Sequence, residues 1–243
     1  MSETETRKIS KKDFILVDLV GRTKEDGKVF DTTLREVAIR ADIFNEREVY
    51  QPRLVIVGAG WVLPGLDEAL EGLHVGETKV IEIPPKKGFG ERDPKNIKVF
   101  SAREFSKQNI KPRPGMTIRV KGHLATIQKV GGGRIRVDMN HPLAGQTLEY
   151  EVTVKSVLEN DEDKIKALIN RRIAGVDLNK FKISISGKSV EVTIPTEAVL
   201  IENIQFAKIG LVSDIFSNFS FESVKFIEAF EKTTAPKTGD SQP

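Results

Sequence analysis

Short runs in which apolar and polar residues alternate recur along this chain and predict that it folds mainly through β-strands. The period of two places alternate side chains on opposite faces of a sheet. Glycine-containing turns separate several neighbouring runs, which predicts antiparallel hairpins. The predicted strands cover residues 13–20, 28–31, 53–57, 77–83, 116–121, 123–130, 134–139, 147–157, 181–185, 189–194 and 224–230.

Apolar residues three and four positions apart predict a smaller number of helices. Thr32 and Thr33 stand where the N-cap of the first helix is expected, and Gly72 is placed to end the second. The helix that begins at Asp161 has an acidic first turn, which its dipole favours. The predicted helices cover residues 34–41, 66–70, 102–108, 161–174 and 204–219.

The charge of the chain changes sharply in its middle. All 243 residues together have a formal net charge of +3. Residues 94–143 contain eleven Lys or Arg against two acids, Glu104 and Asp138, and so carry +9. Residues 1–93 together with 144–160 carry −5, and residues 161–243 carry −1. This break predicts that the central residues form a unit of their own.

The composition excludes several kinds of chemistry. The chain contains no cysteine, which rules out disulfides, thiol catalysis, cysteine-zinc sites and iron–sulfur clusters. The three histidines, His74, His123 and His141, form no metal-binding motif, and no nucleophile–histidine–acid motif is present. No apolar run approaches the ~18–20 residues that cross a bilayer, and the first residues are polar and acidic, unlike a secretory signal. We therefore expect a cytoplasmic protein that uses no metal, no cofactor and no membrane.

A set of large apolar residues next to glycine turns is the remaining candidate for a binding site. It consists of Phe30, Val62, Leu63, Leu66, Phe89 and Tyr150. Large apolar side chains usually fill a core, so burial is the default expectation for most of them. Asp31 follows Phe30 directly in a strand pattern and is either a turn cap or a site residue.

Five segments around these residues resemble, in the same order, those of the FKBP-type peptidyl-prolyl isomerases. Residues 25–31 are similar to the EDGxxFD segment of that family, and residues 61–66 to its V-I-x-G-W segment. Residues 74–77, 88–90 and 147–152 are similar to its VG(E/Q) turn, its (A/G)-Y-G turn and its last strand. The order of five matches makes the resemblance much more specific than any one of them.

Two further segments resemble extensions of that family. Residues 140–145, Asn-His-Pro-Leu-Ala-Gly, are similar to the NHxLAG signature that follows the insert-in-flap domain of SlyD-like FKBPs. Residues 161–232 resemble the extra C-terminal domain of long archaeal FKBPs. The implied fold is α+β: an antiparallel sheet wrapped on a short helix, a small β-rich insert and an α-β-β-α-β C-terminal domain. The predicted domains are 1–93 with 144–160, 94–143 and 161–232, followed by a disordered tail at 233–243.

The implied activity is isomerisation of X–Pro bonds, which breaks no covalent bond and therefore needs no nucleophile. By resemblance, Leu63 would donate its backbone N–H to the substrate carbonyl, and Asp31 would orient the twisted carbonyl or its neighbours. The proline ring would be walled by Phe30, Val62, Leu66, Phe89 and Tyr150.

Three departures from the family pattern leave an alternative open. Leu19 or Val20 stands where the family often has Tyr, Leu66 where it often has Trp, and Phe89 where it has the flap Tyr. These changes keep the pocket apolar but remove hydrogen-bond donors. The alternative is a non-catalytic holdase or ribosome-associated folding factor with a weak isomerase pocket.

The resemblance also implies partners, chiefly unfolded or nascent chains that contain proline. Half or more of the apolar residues of the insert are expected to fill its core. The candidate client-binding residues are Ile97, Val99, Phe100, Phe105, Ile110 and Met116. The excess positive charge is either a solvated face or a polyanion contact, such as the ribosome, through Lys111, Arg113, Arg119 and Lys121. The C-terminal domain is expected to support a homodimer or to hold clients.

Overall fold

The computed structural model of the protein describes residues 7–107, 109–120 and 122–230. Its strands are β1 (Phe14–Thr23), β2 (Val29–Thr32), β3 (Arg53–Ile56), β4 (Thr78–Ile83), β5 (Ile97–Ser101), β6 (Thr117–Val120), β7 (His123–Gly131), β8 (Arg134–Asp138), β9 (Leu148–Leu158), β10 (Lys182–Ser186), β11 (Ser189–Ile194) and β12 (Ser223–Glu228). Its α-helices are α1 (Arg35–Arg40), α2 (Pro64–Leu70), α3 (Ala102–Ser106), α4 (Asp161–Arg172), α5 (Thr196–Val199) and α6 (Ile204–Asn218). The prediction of an α+β fold is confirmed.

The chain divides into two compact units, one that ends at Val157 and one that begins at Leu158. The first unit contains a five-stranded sheet, in which β2, β1, β9 and β4 follow one another and β3 pairs with β1. The pairings of β1 with β2 and β3, and of β4 with β9, are antiparallel. Alternate residues of these strands and one face of α2 form the core, which includes Ile15, Val17, Leu19, Leu66, Leu70, Leu148, Val152 and Val154. Within the described residues, no helix has the length and apolar content to cross a membrane.

A buried carboxylate positions the loop that leads into α2. Asp67, in the first turn of α2, accepts hydrogen bonds from the backbone N–H groups of Gly58 (2.8 Å) and Gly60 (2.9 Å). Both glycines have positive φ, +80° and +69°, which lets the chain turn sharply after β3. The segment 61–63 is thereby held between β3 and the start of the helix.

The predicted threonine N-cap of α1 is wrong, because the sheet uses the two hydroxyls. The N-cap residue is Leu34, and no side chain caps this end of the helix. The Thr33 hydroxyl accepts the backbone N–H of Leu19 at 2.9 Å, and Thr32 donates its hydroxyl to the Leu19 carbonyl at 3.1 Å. Both side chains therefore fasten the end of β2 to β1.

The insert is a four-stranded antiparallel sheet in the order β5-β8-β7-β6. The sequence predicts three of these strands and misses β5, because its two adjacent apolar residues, Val99 and Phe100, interrupt the alternation. This strand ends directly at Ser101, which forms a capping box with Glu104 at the start of α3. Phe105 of α3 packs on one face of the sheet, in a small core completed by Ile118, Ala125, Ile127, Ile135 and Val137.

Two buried polar residues join the insert to the large sheet. Asp138, 2% exposed, accepts hydrogen bonds from Arg92 Nε (2.7 Å), from Gln128 and from the backbone and side chain of Asn140. Asn140 in turn accepts from the backbone N–H of Asp93 at 3.1 Å and donates to its carbonyl at 2.9 Å. The segments that enter and leave the insert are therefore bonded to each other.

The second unit contains the sheet β10-β11-β12. The predicted hairpin of β10 and β11 is antiparallel, whereas β11 and β12 run parallel and are connected through α5 and α6. Arg172 of α4 donates two hydrogen bonds, of 2.7 and 2.8 Å, to the buried carboxylate of Asp214 on α6. The short helix α5 was not predicted, because one turn offers too little periodicity.

Candidate active site

A pocket of about 300 Å³ opens on the large sheet. Its walls come from β2, from the start of β3, from the loop and first turn of α2, from the segment after β4, and from β9. The lining residues are Asp31, Arg53, Trp61, Val62, Leu63, Pro64, Leu66, Phe89 and Tyr150. Six of the seven residues that the sequence singles out are among them. The structure therefore brings together positions that lie more than a hundred residues apart in the chain.

The seventh predicted residue, Phe30, lies against two rings of the pocket instead of among the lining residues. Its ring meets that of Phe89 edge to face, with centroids 6.0 Å apart, and that of Tyr150 in the same way at 5.7 Å. Edge-to-face contact is a favourable geometry for aromatic pairs. Phe30 therefore fixes the orientation of the two aromatic side chains that face the pocket.

An ion pair lies at one side of the pocket. Arg53, the first residue of β3, donates hydrogen bonds of 2.9 and 2.8 Å to the two carboxylate oxygens of Asp31 on β2. The hydrogen bonds to Asp31 raise the pKa of the Arg53 guanidinium above its ordinary value. A bidentate pair of this kind restricts both side chains to one geometry. Asp31 thus lines the pocket, with its carboxylate held by Arg53.

Tyr150 completes this polar group. Its hydroxyl donates to Asp31 at 3.3 Å. Burial, followed by the charge of Asp31 and its hydrogen bond, raises the pKa of the Tyr150 phenol well above its ordinary value. The hydroxyl therefore remains protonated and continues to donate at alkaline pH.

Gly21 of β1 makes room for the Tyr150 ring, and the sequence gives no clear sign of this role. Gly21 is paired with Asp31 across the two strands. A Cβ added at Gly21 would lie 2.7 Å from two ring carbons of Tyr150. Any side chain there would displace the ring and the hydroxyl that bonds to Asp31.

The backbone at Leu63 fits the role that the resemblance implies for it. Leu63 is the N-cap residue of α2, and its carbonyl accepts from the N–H groups of Leu66 and Asp67, each at 2.9 Å. In the described part of the chain, no acceptor takes the N–H of Leu63. A donor at the pocket wall is therefore unused by the fold.

His141, near the end of the insert, stacks on Phe89. The two rings are stacked, with centroids 4.2 Å apart and an angle of 8° between their planes. The backbone N–H of Leu143 donates to His141 Nδ1 at 3.2 Å and orients the imidazole. Sequence reasoning missed this contact, although His141 lies in the Asn-His-Pro-Leu-Ala-Gly segment that it had singled out.

The departures from the family pattern are placed as follows. Leu19 is buried in the core, Val20 is half-buried, and Leu66 lines the pocket with 2% of its surface exposed. These three positions contribute no side-chain donor to the pocket. Arg53 and the Tyr150 hydroxyl are donors there, and both bond to Asp31. Arg53 and Trp61 also line the pocket and are not predicted as site residues. Arg53 lies in no matched segment, and Trp61 begins the segment 61–66 but precedes the positions that match V-I-x-G-W.

The candidate client-binding residues of the insert do not form one surface. Phe105 is 7% exposed and belongs to the core, and Phe100 and Ile110 pack against it. These three line a second pocket of about 310 Å³ together with Ile118 and Val120. Val99, 63% exposed, lies on the opposite face of the sheet from Phe100, because successive strand residues point to opposite faces. Ile97 is half-buried, and Met116 is exposed just before β6.

The structure describes three of the four residues predicted as polyanion contacts. Lys111 and Arg113 are exposed in the loop before β6, and Arg119 is exposed on β6. Lys121 lies outside the described residues.

Comparison with known proteins identifies the class. Family models described as "FKBP26, IF domain" and "FKBP26_C-terminal" match residues 98–143 and 161–231. A short-type peptidyl-prolyl cis-trans isomerase of Methanocaldococcus jannaschii is 38% identical over 149 residues, 61% of this chain and 94% of that protein. The chain belongs to the FKBP-type peptidyl-prolyl cis-trans isomerases and has the insert and C-terminal domains of the long members.

Two bacterial relatives match a similar part of the chain. The FKBP-type isomerase SlyD of Treponema pallidum is 33% identical over 134 residues, 54% of this chain and 76% of that protein. An FKBP-type 16 kDa isomerase of Escherichia coli K12 is 32% identical over 112 residues, 44% of this chain and 74% of that protein.

Proposed function

We propose that this isomerase acts on X–Pro bonds of unfolded or nascent polypeptides in the cytoplasm, and that its insert holds these clients. The observation that carries the proposal is the contact between the two parts. The stacked pair of Phe89 and His141 places the end of the insert segment directly on a wall of the isomerase pocket. A client held by the insert would thus be close to the pocket.

The pocket can lower the rotational barrier without a chemical step. Amide resonance sets a barrier of ~18–20 kcal/mol, and the twisted amide has lost its charge separation. An apolar site favours that twisted form over the planar one. In our proposal the walls at Val62, Leu66 and Phe89 enclose the proline ring, and the free N–H of Leu63 binds a substrate carbonyl.

Asp31 would contribute a fixed carboxylate at the side of the pocket. Arg53 and Tyr150 donate three hydrogen bonds to it, so it cannot turn away when a substrate enters. A group that is oriented in advance does not have to be ordered during the reaction. We assign Arg53 and Gly21 as positioning residues, since they act on the substrate through Asp31 and Tyr150.

The pocket at Phe100, Phe105 and Ile110 is the proposed client-holding site. Its lining is mainly apolar, with Glu104 and Arg119 at its border, which suits apolar segments of an unfolded chain. The bonds among Asp138, Asn140 and Asp93 support this role because they tie the two segments that connect the insert.

A refolding assay limited by proline isomerisation tests the proposal. We expect the full chain to accelerate refolding, and deletion of 94–143 to reduce this acceleration while isomerisation of a tetrapeptide persists. Phe100→Ser should weaken the protection of an aggregating client, whereas Val99→Ser on the opposite face serves as the matched control. Equal protection by both variants would contradict the client site. An intact protein that accelerates neither reaction would contradict the assignment of the isomerase pocket.

The alternative of a non-catalytic holdase loses its main support. It rested on the missing hydroxyls of the family pattern, and Arg53 and Tyr150 supply donors at the same pocket. The relatives at 32–38% identity carry the name of isomerases.

For the C-terminal unit we propose self-association through α6. Phe206, Ile209 and Phe216 are 74%, 67% and 47% exposed, and their spacing puts them on one side of the helix. A two-fold dimer uses the same patch on both copies, so a single apolar stripe is sufficient. We expect light scattering to give twice the monomer mass, and Phe206→Ser with Ile209→Ser to give the monomer mass. A monomeric unaltered chain at tens of micromolar would refute this proposal.

A further inference from the structure

One face of the insert sheet is exposed from its centre to the β7–β8 turn. Cross-strand pairing fixes its members: Val99 is opposite Arg136, which is opposite Lys129, and Arg119 is opposite Leu124. Val99 and Leu124 are 63% and 53% exposed, so the face is accessible over most of its width. We call it the outer face. Its exposed strand residues include Val99, Ser101, Arg119, Leu124, Lys129, Arg134 and Arg136. Toward the junction the same pairing adds Ile97, Asp138, Thr126 and Thr117, and Asp138 is buried there and bonded to Arg92.

A β-bulge in β7 places Lys129 on the outer face. The pairing of β7 with β8 shifts register between Ile127 and Lys129. Without the shift, strict alternation from the buried Ile127 would turn Lys129 toward the core. The extra residue instead sets Lys129 directly opposite Arg136 on the outer face. Like charges in opposite positions destabilise a sheet, so the folded protein by itself gains nothing from this arrangement.

The described cations of the insert are not neutralised by acidic side chains, although Arg119 donates a hydrogen bond to the Gly122 carbonyl. Of its eleven Lys and Arg, ten are described, all ten are exposed, and none forms an ion pair with a described residue. Elsewhere in the chain cations are commonly paired, as in Arg22 with Glu149 and Lys225 with Glu191. The positive field of the outer face is therefore not neutralised from within.

Lys129, Arg134 and Arg136 form the densest cluster on this face. Lys129 is directly opposite Arg136, and Arg134 is two residues from Arg136 on the same strand. The three positions therefore lie within about 5–8 Å of one another. The β7–β8 turn next to them is at the other end of β8 from Asp138, the residue that joins the insert to the large sheet. The cluster is thus at the end of the insert that a large partner can approach.

The chemistry of the face favours phosphate over carboxylate. A nucleic-acid duplex carries one negative charge per about 1.7 Å of its axis, which matches a compact group of cations. An unfolded acidic chain would need apolar contacts as well, and among the exposed residues that define the face only Val99 and Leu124 are large and apolar. The face has no aromatic residue on which an unpaired base could stack.

We propose that the outer face of the insert binds the phosphate backbone of a double-stranded nucleic acid, without regard to sequence, through Lys129, Arg134 and Arg136. This activity is separate from isomerisation. It is also separate from the proposed client site, whose apolar residues lie on the other face of the sheet, although Arg119 borders that pocket. Of the polyanion contacts predicted from sequence, Arg119 belongs to this face, and Lys121 lies outside the described residues.

Fluorescence anisotropy with the full chain tests this. The probes are a labelled 16-base-pair RNA duplex, the same duplex in DNA, and poly-glutamate of similar charge. The test variant combines Lys129→Glu, Arg134→Glu and Arg136→Glu. The control combines Lys98→Glu, Arg103→Glu and Lys107→Glu, which changes the net charge equally but lies outside this face. Tetrapeptide isomerisation and thermal unfolding verify that both variants are folded.

We expect duplex binding at 50 mM salt that weakens with a slope of about −3 in log affinity against log salt, as three phosphate contacts require. The test variant should lose at least tenfold in affinity and the control less than threefold. Equal affinity for both duplexes identifies the backbone alone as the ligand, and preference for RNA identifies A-form geometry; either supports the proposal. No duplex binding, equal losses in both variants, or tighter binding of poly-glutamate would overturn it.

Discussion

The guanidinium of Arg53 holds the carboxylate of Asp31 by two hydrogen bonds, of 2.8 and 2.9 Å, at the side of the isomerase pocket. Arg53 lies on β3 and Asp31 on β2. These two strands come close to each other because both pair with β1. Asp31 is 26% and Arg53 41% exposed in their side chains, so the pair is at the border of pocket and solvent. Its value for catalysis is orientation more than stability, since exposed ion pairs contribute little to folding.

Arg53→Leu should therefore impair the enzyme more than the fold. A hydrogen bond to a charged group contributes about 1.5–3 kcal/mol, so its loss should lower kcat/KM by about tenfold or more. We expect the change mainly in kcat, because Arg53 positions Asp31 instead of anchoring the peptide. Arg53→Lys should restore only part of the activity, since lysine cannot form the bidentate pair. Tetrapeptide kinetics over a range of substrate concentrations separate kcat from KM. A change confined to KM would show that Arg53 binds the peptide directly.

Tyr150 requires two different substitutions to separate its roles. Tyr150→Phe removes only the hydroxyl that donates to Asp31, and we expect a loss of about 0.5–1.5 kcal/mol in transition-state stabilisation with little effect on folding. Tyr150→Ala removes a ring that is 3% exposed, and we expect a loss of about 3–5 kcal/mol in stability. The motif positions alone suggest that Tyr150→Ala would affect activity much more than stability, and the burial of the ring contradicts this. Urea unfolding of both variants, measured beside their activities, provides the check.

The stability that Asp138 gives to the junction of the insert should decrease at acid pH. Burial opposes ionisation, but hydrogen bonds from Asn140 and Arg92 outweigh it and lower the pKa of Asp138 below its ordinary value. A group with a lowered pKa stabilises the fold above its unfolded value, about 3.9 for Asp, and loses this effect as the pH falls through the folded pKa. Asp138→Asn should therefore lower the Tm at pH 7, and the difference from the unaltered chain should shrink as the pH falls below 4. A difference that is independent of pH would mean that the charge of Asp138 has no part in the junction.

A chain that ends after Asn160 should keep tetrapeptide isomerisation within about twofold. The pocket residues all precede Val157, where the first compact unit ends. The match to the short-type relative from M. jannaschii, which covers 94% of that protein, favours the same result. Circular dichroism establishes that the shortened chain is folded, and activity is compared at equal folded concentration. Loss of activity in a folded, shortened chain would assign the C-terminal unit a part in catalysis.

Local pattern is enough to predict most elements of this protein. The alternation of β1, β4 and β9 is strong because each strand buries one face, and the acidic first turn marks α4. The change of charge between residues 94 and 143 coincides with an insert that has a core of its own. The glycine turns and ordered motif segments point to Asp31, Phe89 and Tyr150 as members of one pocket. The strands, the helix and the charge change depend on residues close together in the chain, so sequence by itself determines them. The grouping of the three pocket residues depends in addition on the family resemblance of their segments.

Contacts that depend on strand register and on burial are decided only by the tertiary structure. Arg53 reaches Asp31 because β2 and β3 share β1, and Gly21 is important because the Tyr150 ring lies on it. Likewise, one bulge in β7 decides that Lys129 faces Arg136. Each relationship joins residues far apart in sequence, and a shift of one residue in strand pairing would turn every side chain to the other face. The local sequence pattern does not specify which strands pair or in which register. It therefore cannot predict which side chains come into contact.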